Sequence, residues 1–260
     1  MIDVQNLVKE FTLSKKEMKQ AGVSSNRIQV VNKISFNCRP GRVFSLLGPN
    51  GAGKTTTLRM IATILKPTSG SITVAGFDAT QNPNGVRSKI GFLTGSTGLY
   101  DRLTPNEIIR YFADLYGMPR RKMKARRSEL FELLGVHEFA NKKIGALSTG
   151  MKQKVSIVRT MIHDPQVVVF DEPTSGLDVI TAENIIRLVG DCRDAGKTVI
   201  FSSHIMSEVD LLADDLAIIH KGHLIFNDTM DNFRAQMEAP TLTKEFIRRV
   251  SLTNPQTASA

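Results

Sequence analysis

One stretch constrains this chain more than any other: Leu46-Leu47-Gly48-Pro49-Asn50-Gly51-Ala52-Gly53-Lys54-Thr55-Thr56-Thr57. Val43 to Leu46 reads as a short buried strand leading in, and the residues from Leu58 onward read as a helix leading out. Strand, glycines, lysine, hydroxyl and helix, in that order and spacing, suit a loop that wraps phosphates with its own backbone. Gly48, Gly51 and Gly53 are free to take φ > 0 and to bring N–H groups to an anion with no Cβ in the way. The following helix points its positive end at the same anion. Lys54 is then placed to neutralise phosphate oxygens and Thr55 to offer its hydroxyl to Mg²⁺, with Pro49, Asn50, Ala52 and Thr56 completing the cradle.

A chain of 260 residues suits one large domain, or a domain with an inserted subdomain. No apolar run approaches the length that crosses a bilayer, and Met1 to Gln5 lacks the pattern of a signal peptide, so a cytoplasmic protein is expected. The two cysteines, Cys38 and Cys192, lie far apart without metal-ligand partners and read as free thiols. The net charge of +9 admits nucleic acid, an anionic membrane surface or a polyphosphate ligand. Much of the excess sits in Arg120 to Arg127, where no aromatic side chains interleave with the cations. A solvated helix face is favoured there over a nucleic-acid patch, which needs a stacking surface.

Along the chain, Ile2 to Leu7 alternates well enough for an edge strand, and the basic stretch from Ser14 to Asn26 reads as a long loop with at most one helical turn. Val30 to Asn37 alternates again. Thr57 to Leu65 is expected as a helix, and Ser71 to Ala75 and Lys89 to Thr94 as strands. Leu103-Thr104-Pro105-Asn106-Glu107-Ile108 carries a helix start: Thr104 as N-cap, Pro105 at the first position, Glu107 closing a capping box, Leu103 stapling to Ile108. That helix runs to about Tyr116 and a second covers Arg121 to Leu134, so a helical subdomain, about residues 95–162, is inserted in an α/β core. Met151 to Ile162 is a further helix. Val167 to Phe170 and Thr198 to Ser202 are continuous apolar strands, as strands covered on both faces are. Val179 to Ala195 and Ile205 to Ala213 are helices, Leu216 to Ile219 and His223 to Phe226 form a hairpin, and Asp231 to Val250 is helical in two pieces broken at Pro240. The last residues, 251–260, read as a disordered tail.

Three buried strands end in polar residues, and ligands gather at such ends of a parallel sheet. The first ends in the phosphate loop. The second ends Phe170-Asp171-Glu172-Pro173, where Asp171 can hold a Mg²⁺-bound water and Glu172 can polarise an attacking water. The third ends Ser202-Ser203-His204, and His204 beside the other two can bridge a terminal phosphate and the water or its base.

These pieces resemble one family, the ATP-binding subunits of ABC transporters. Leu147-Ser148-Thr149-Gly150-Met151-Lys152-Gln153 resembles its signature motif, Ser175-Gly176-Leu177-Asp178 its D-loop, and His204 its switch histidine; Phe11 falls where the family stacks an aromatic on adenine. The texture is most similar to sodium-efflux ATPases of the NatA type, then to drug-export types. The resemblance covers about residues 2–230 and implies a P-loop (RecA-like) core with an antiparallel β subdomain and the inserted helical subdomain, followed by a short helical extension. It further implies a Mg²⁺-dependent ATPase in which Lys54, Glu172 and His204 act on ATP. Two copies, or this chain and a paralogue, would assemble head to tail, so that Ser148 and Gly150 of one close the phosphate loop of the other while Asp178 communicates across. A separate transmembrane permease would hold the assembly on the inner face of the membrane and dock near residues 95–104. A soluble ABC protein acting on ribosomes or DNA is the rival, but such proteins usually carry two ATPase domains or a long coiled coil, and neither is present.

Two departures from the family stand out. Thr149 and Met151 replace two residues of the usual Leu-Ser-Gly-Gly-Gln, while Ser148 and Gly150 remain. Gly95 stands where the family has a glutamine that touches Mg²⁺ or the attacking water, with Ser96 and Thr97 as the nearby substitutes. A weaker coupling of Mg²⁺ to the membrane-facing loop, or a slower ATPase, is expected; a Gly95→Gln variant unchanged in both would count against it.

Overall fold

A computed structural model describes residues 1–22, 24–94, 98–175 and 177–253. In chain order the elements are β1 (Ile2–Thr12), α1 (Lys15–Ala21), β2 (Arg27–Cys38), β3 (Arg42–Leu47), α2 (Lys54–Ile61), β4 (Ser69–Val74), β5 (Phe77–Asp78), α3 (Pro83–Lys89) and β6 (Ile90–Thr94). Then follow α4 (Pro105–Leu115), α5 (Arg120–Leu134), α6 (Thr149–Met161), β7 (Val167–Asp171), α7 (Val179–Asp194), β8 (Thr198–Ser203), α8 (Met206–Leu212), β9 (Asp215–His220), β10 (His223–Thr229), α9 (Met230–Ala235) and α10 (Leu242–Leu252).

Two sheets organise them. The larger has six strands in the order β10-β9-β3-β8-β7-β6 and is parallel except for β10, which returns antiparallel on β9. Its strands β3, β7, β8 and β9 are buried on both faces along nearly their whole length, whereas the edge strand β10 is not. Alternate residues feed two cores: Val43, Leu47, Val168, Phe170, Val199 and Phe201 pack toward the helices, whereas Phe44, Leu46, Val167, Val169 and Ile200 pack toward α2 and the smaller sheet. The smaller sheet is antiparallel, in the order β2-β1-β4-β5. The helices α4, α5 and α6 lie between β6 and β7 in the chain and join the first of these cores through Ile108, Leu130, Phe131, Val155 and Val158.

The start of α4 has the anticipated chemistry: the Thr104 hydroxyl accepts from the Glu107 N–H at 3.3 Å while a Glu107 carboxylate oxygen accepts from the Thr104 N–H at 2.8 Å. Several expectations need correction. Ile2 to Leu7 is no edge strand; β1 lies between β2 and β4, and both of its hydrogen-bonding edges are taken up by those neighbours. The basic stretch after it holds α1, seven residues long. Helix α2 starts at Lys54 rather than Thr57 and ends at Ile61, stopped by the left-handed Thr63. β5 and α3 went unanticipated; α3 begins with Asn82 accepting from the Gly85 N–H and takes Lys89 from the expected strand. Ser251 and Leu252 belong to α10, and the expectation for the rest of the tail, 254–260, lies outside the described residues.

Candidate active site

The parallel strands deliver their C-terminal ends to one edge. In register, Leu46 of β3 faces Ser202 of β8, which faces Asp171 of β7, so β8 stands between the phosphate-loop strand and the carboxylate strand. The loop leaving β3 wraps into α2 through Gly51 (φ 77°) and Gly53 (φ 110°), conformations costly for any residue with a Cβ. Gly48 is glycine for another reason: it is not left-handed, but a Cβ there would run into the Ile219 carbonyl oxygen on β9. From the same hairpin the Gly222 N–H donates to Ala52 O at 3.0 Å, bracing the loop from outside.

Lys54 is almost wholly buried, and its ammonium donates to Gly48 O at 2.7 Å and Pro49 O at 3.2 Å. It also lies 3.4 Å from Glu172 Oε1, while Glu172 Oε2 is 3.4 Å from His204 Nδ1. The glutamate is thus held between a lysine and a histidine, one carboxylate oxygen to each. Thr55 donates its hydroxyl to Asp171 Oδ1 at 3.1 Å. Glu172 has φ 49°, a left-handed conformation held at the strand end. A cleft of about 130 Å³ opens among Pro49 to Thr56, Val30 and Glu172. A buried cation over loop carbonyls and a glycine-rich loop leading into a helix N-terminus fit a polyphosphate, and a hydroxyl 3.1 Å from a carboxylate oxygen offers the hard oxygen ligands that Mg²⁺ takes together with phosphate oxygens.

The structure brings Lys54, Thr55, Asp171, Glu172 and His204 together. Of these, Lys54, Thr55 and Glu172 line the cleft, and Asp171 and His204 join through Thr55 and Glu172; Ser148, Gly150, Asp178 and Phe11 neither line it nor are bonded to these five residues in the contacts described. Ser148 caps α6, accepting from Met151 N at 3.3 Å. Asp178 caps α7, accepting from the Thr181 N–H and hydroxyl, which hold its carboxyl below the usual carboxylate range. A Cβ on Gly150 would sit 3.5 Å from both Asp178 Oδ2 and Thr181 Oγ1, so the signature helix and α7 start side by side. Gln153 ties α6 to the carboxylate strand by donating to Pro173 O at 3.2 Å. Phe11 lies on β1 opposite Ile28, with the Lys9 ammonium 5.0 Å from its ring centroid. Gly95, Ser96, Thr97 and Gly176, to which expectations were attached, lie outside the described residues. Sequence reasoning passed over Ser202, although two serines before His204 at the end of an apolar strand were there to be noticed.

A family model described as ABC transporter matches residues 31–175. The chain belongs to the ABC transporter family. Within it this is an ATP-binding domain of the NatA-like kind and an ATPase, with the α/β architecture of ABC cassettes. ABC transporter ATP-binding protein NatA of Bacillus subtilis is 43% identical over 225 residues, 86% of this chain and 91% of that protein. Linearmycin resistance ATP-binding protein LnrL of the same organism is 36% identical over 213 residues, 82% of this chain and 68% of the relative. A solved structure of the ATP-binding subunit of an ABC transporter superposes with a TM-score of 0.84 at 25% identity, covering 96% of this chain and 99% of that one. The dimeric structure of a bacterial ABC transporter cassette superposes with a TM-score of 0.76 at 25% identity, covering 88% and 99%. Among the described residues no helix of this ABC domain is long and apolar enough to cross a membrane.

Proposed function

We propose that this chain powers transport through a separate transmembrane permease, on the inner face of the cell membrane, by hydrolysing Mg²⁺-bound ATP as a head-to-tail dimer with a second copy or a paralogue. The observation that carries the reading is the gathering of Lys54, Thr55, Asp171, Glu172 and His204 at one strand edge, with Ser148 and Gly150 apart from it. Lys54 and the loop amides hold the triphosphate, with Phe11 offered to the adenine. Thr55 and Asp171 hold the metal, and when bound the metal screens phosphate charge and orients the terminal phosphate. Glu172 takes the proton of the attacking water, and His204 steadies the carboxylate and the terminal phosphate; positioning and charge, not covalent chemistry, lower the barrier. Ser148 and Gly150 reach the phosphate of the other copy, and Asp178 lies beside them at the interface.

Export, of sodium ions or of drugs, is the direction favoured by the resemblance to efflux ATPases noted in the sequence; similarity to a linearmycin resistance protein, LnrL, and to a bacitracin transport ATP-binding protein, BcrA of Bacillus licheniformis, supports a drug substrate. For the permease, a groove of about 310 Å³ opens between α4, α6 and the start of β6. Exposed Tyr116 lines it, and Arg159, 9% exposed and stacked 5.3 Å over Phe112, has no carboxylate partner among the described residues, which suits a permease segment bearing an acid.

Glu172→Gln tests the chemistry. It is expected to bind ATP, to dimerise on gel filtration in its presence and to lose about a hundredfold or more in turnover. Substantial remaining hydrolysis would remove Glu172 from the role of base. Co-purification with a membrane protein, rather than with a salt-sensitive nucleic-acid complex, is the expected outcome for the partner.

A further inference from the structure

Ser202 is wholly buried in β8, between the strands that carry the phosphate loop and the carboxylates. Its hydroxyl donates to Asp171 Oδ1 at 2.8 Å and accepts from the Glu172 N–H at 3.1 Å. One oxygen atom therefore holds both acids that follow Phe170, and it does so from the strand whose next residues are Ser203 and His204. Asp171 Oδ1 also takes the Thr55 hydroxyl, so two O–H donors fix one carboxylate oxygen and with it the orientation of the carboxylate. Glu172 needs the second half of the grip. It is a side-chain-bearing residue at φ 49°, and only the Ser202 carbonyl and hydroxyl oxygens receive its N–H among the described residues. A left-handed residue drifts toward commoner geometry when its hydrogen bonds loosen. A plain packing role would not require the hydroxyl, because an alanine or valine fills a buried strand position without a polar atom to satisfy.

We propose that Ser202 is a positioning residue for ATP hydrolysis, whose hydroxyl sets Asp171 for the metal and Glu172 for the attacking water at the same time. The proposal rests on the roles given above to those two acids. Losing a hydrogen bond to a carboxylate in such a site costs about tenfold. Ser202→Ala is expected to lower kcat about tenfold and to raise the half-saturating Mg²⁺ concentration severalfold, while KM for ATP at saturating Mg²⁺ and the melting midpoint stay near the parental values. Ser202→Thr, which keeps the hydroxyl, is expected to recover most of both.

A second readout is independent of turnover. In a Glu172→Gln background, adding Ser202→Ala should raise the Mg²⁺ concentration needed for half-maximal binding of a fluorescent ATP analogue. Parental kcat and parental Mg²⁺ dependence in Ser202→Ala would overturn the proposal, and so would a folded Ser202→Thr as impaired as the alanine variant, since shape rather than the hydroxyl would then matter. Should the alanine variant fail to fold, Ser202→Cys, with similar volume and a weak donor, is read by the same two criteria. The Glu172→Gln parent separates the two levels: if it still hydrolyses ATP, the assignment of the base has failed; if it is inactive and the serine variants are normal, only the role of Ser202 has.

Discussion

At the scale of single residues, the site works by mutual restraint of charges. Lys54 is buried with loop carbonyls and a glutamate as its partners, so under the proposed function an incoming phosphate would replace interactions that already orient the ammonium. Lys54→Ala is expected to abolish detectable ATP binding in a fluorescence titration while leaving the melting midpoint of the nucleotide-free protein within a few degrees. Tight ATP binding by that variant would count against the whole reading. Away from the site, His163 stacks on Tyr116 with ring centroids 3.8 Å apart and donates from Nε2 to Ile90 O, leaving a buried Nδ1 without a described partner. A proton must go to that Nδ1, and burial pushes the pKa down to about 4. The unfolded chain, with an ordinary histidine near 6.5, then binds the proton first. Stability is therefore full above pH 6.5, declines as pH falls from 6.5 to 4 and flattens below, a loss of about 3 kcal/mol. Thermal denaturation between pH 4 and 7 should show this slope, and His163→Phe should flatten it.

At the scale of elements, ends and docking contacts carry the specificity. The capping box of α4 is complete, so Thr104→Ala is expected to cost about 1 kcal/mol in chemical denaturation, with little change in m-value. The C-terminal α10 is anchored by Glu245, whose side chain is entirely buried. It accepts from the N–H groups of Glu238 and Ala239 and from the guanidinium groups of Arg248 and Arg249. Arg249 in turn lies over the rings of Phe226 and Phe233, at 4.8 and 4.7 Å. The arginines hold the Glu245 carboxyl far below the usual carboxylate range. Because the folded pKa is depressed, this anchoring is at full strength above pH 5 and is lost only as pH drops well under 4. Glu245→Ala is expected to destabilise the chain by about 3 kcal/mol, by leaving the arginines without their shared acid. It should also raise proteolytic nicking and amide exchange around α10 before the rest of the fold opens.

At the scale of the whole molecule, one chain holds the cleft around Lys54 and, outside that cleft's lining, the start of α6 with Ser148 and Gly150; the proposed dimer brings the two together between copies. This division predicts complementation. A Lys54→Ala chain and a Gly150→Glu chain should each be inactive; a glutamate in the first turn of α6 is compatible with the helix but not with a bound phosphate. Mixed in equal amounts, they form heterodimers in which one site takes both defects and the other takes none, so about a quarter of parental activity should return. No recovery after mixing would mean that cleft and signature act within one chain.

The chain's local chemistry determined a good deal. Gly48 to Thr56 announces a phosphate loop by spacing, Thr104 and Glu107 announce a helix start, and Val167 to Phe170 announces a strand buried on both faces; each signal needs only neighbours in sequence. Tertiary structure decided everything that depends on strand order and register. It put β1 inside its sheet, set the Gly48 backbone against Ile219, and gave one glutamate to both Lys54 and His204. It also placed Ser202 beside Asp171, 31 residues away in sequence, because β8 slots between β3 and β7. The physical reason is that a side chain's periodicity reports which face it occupies, while its partner across the sheet is chosen by packing of the whole core.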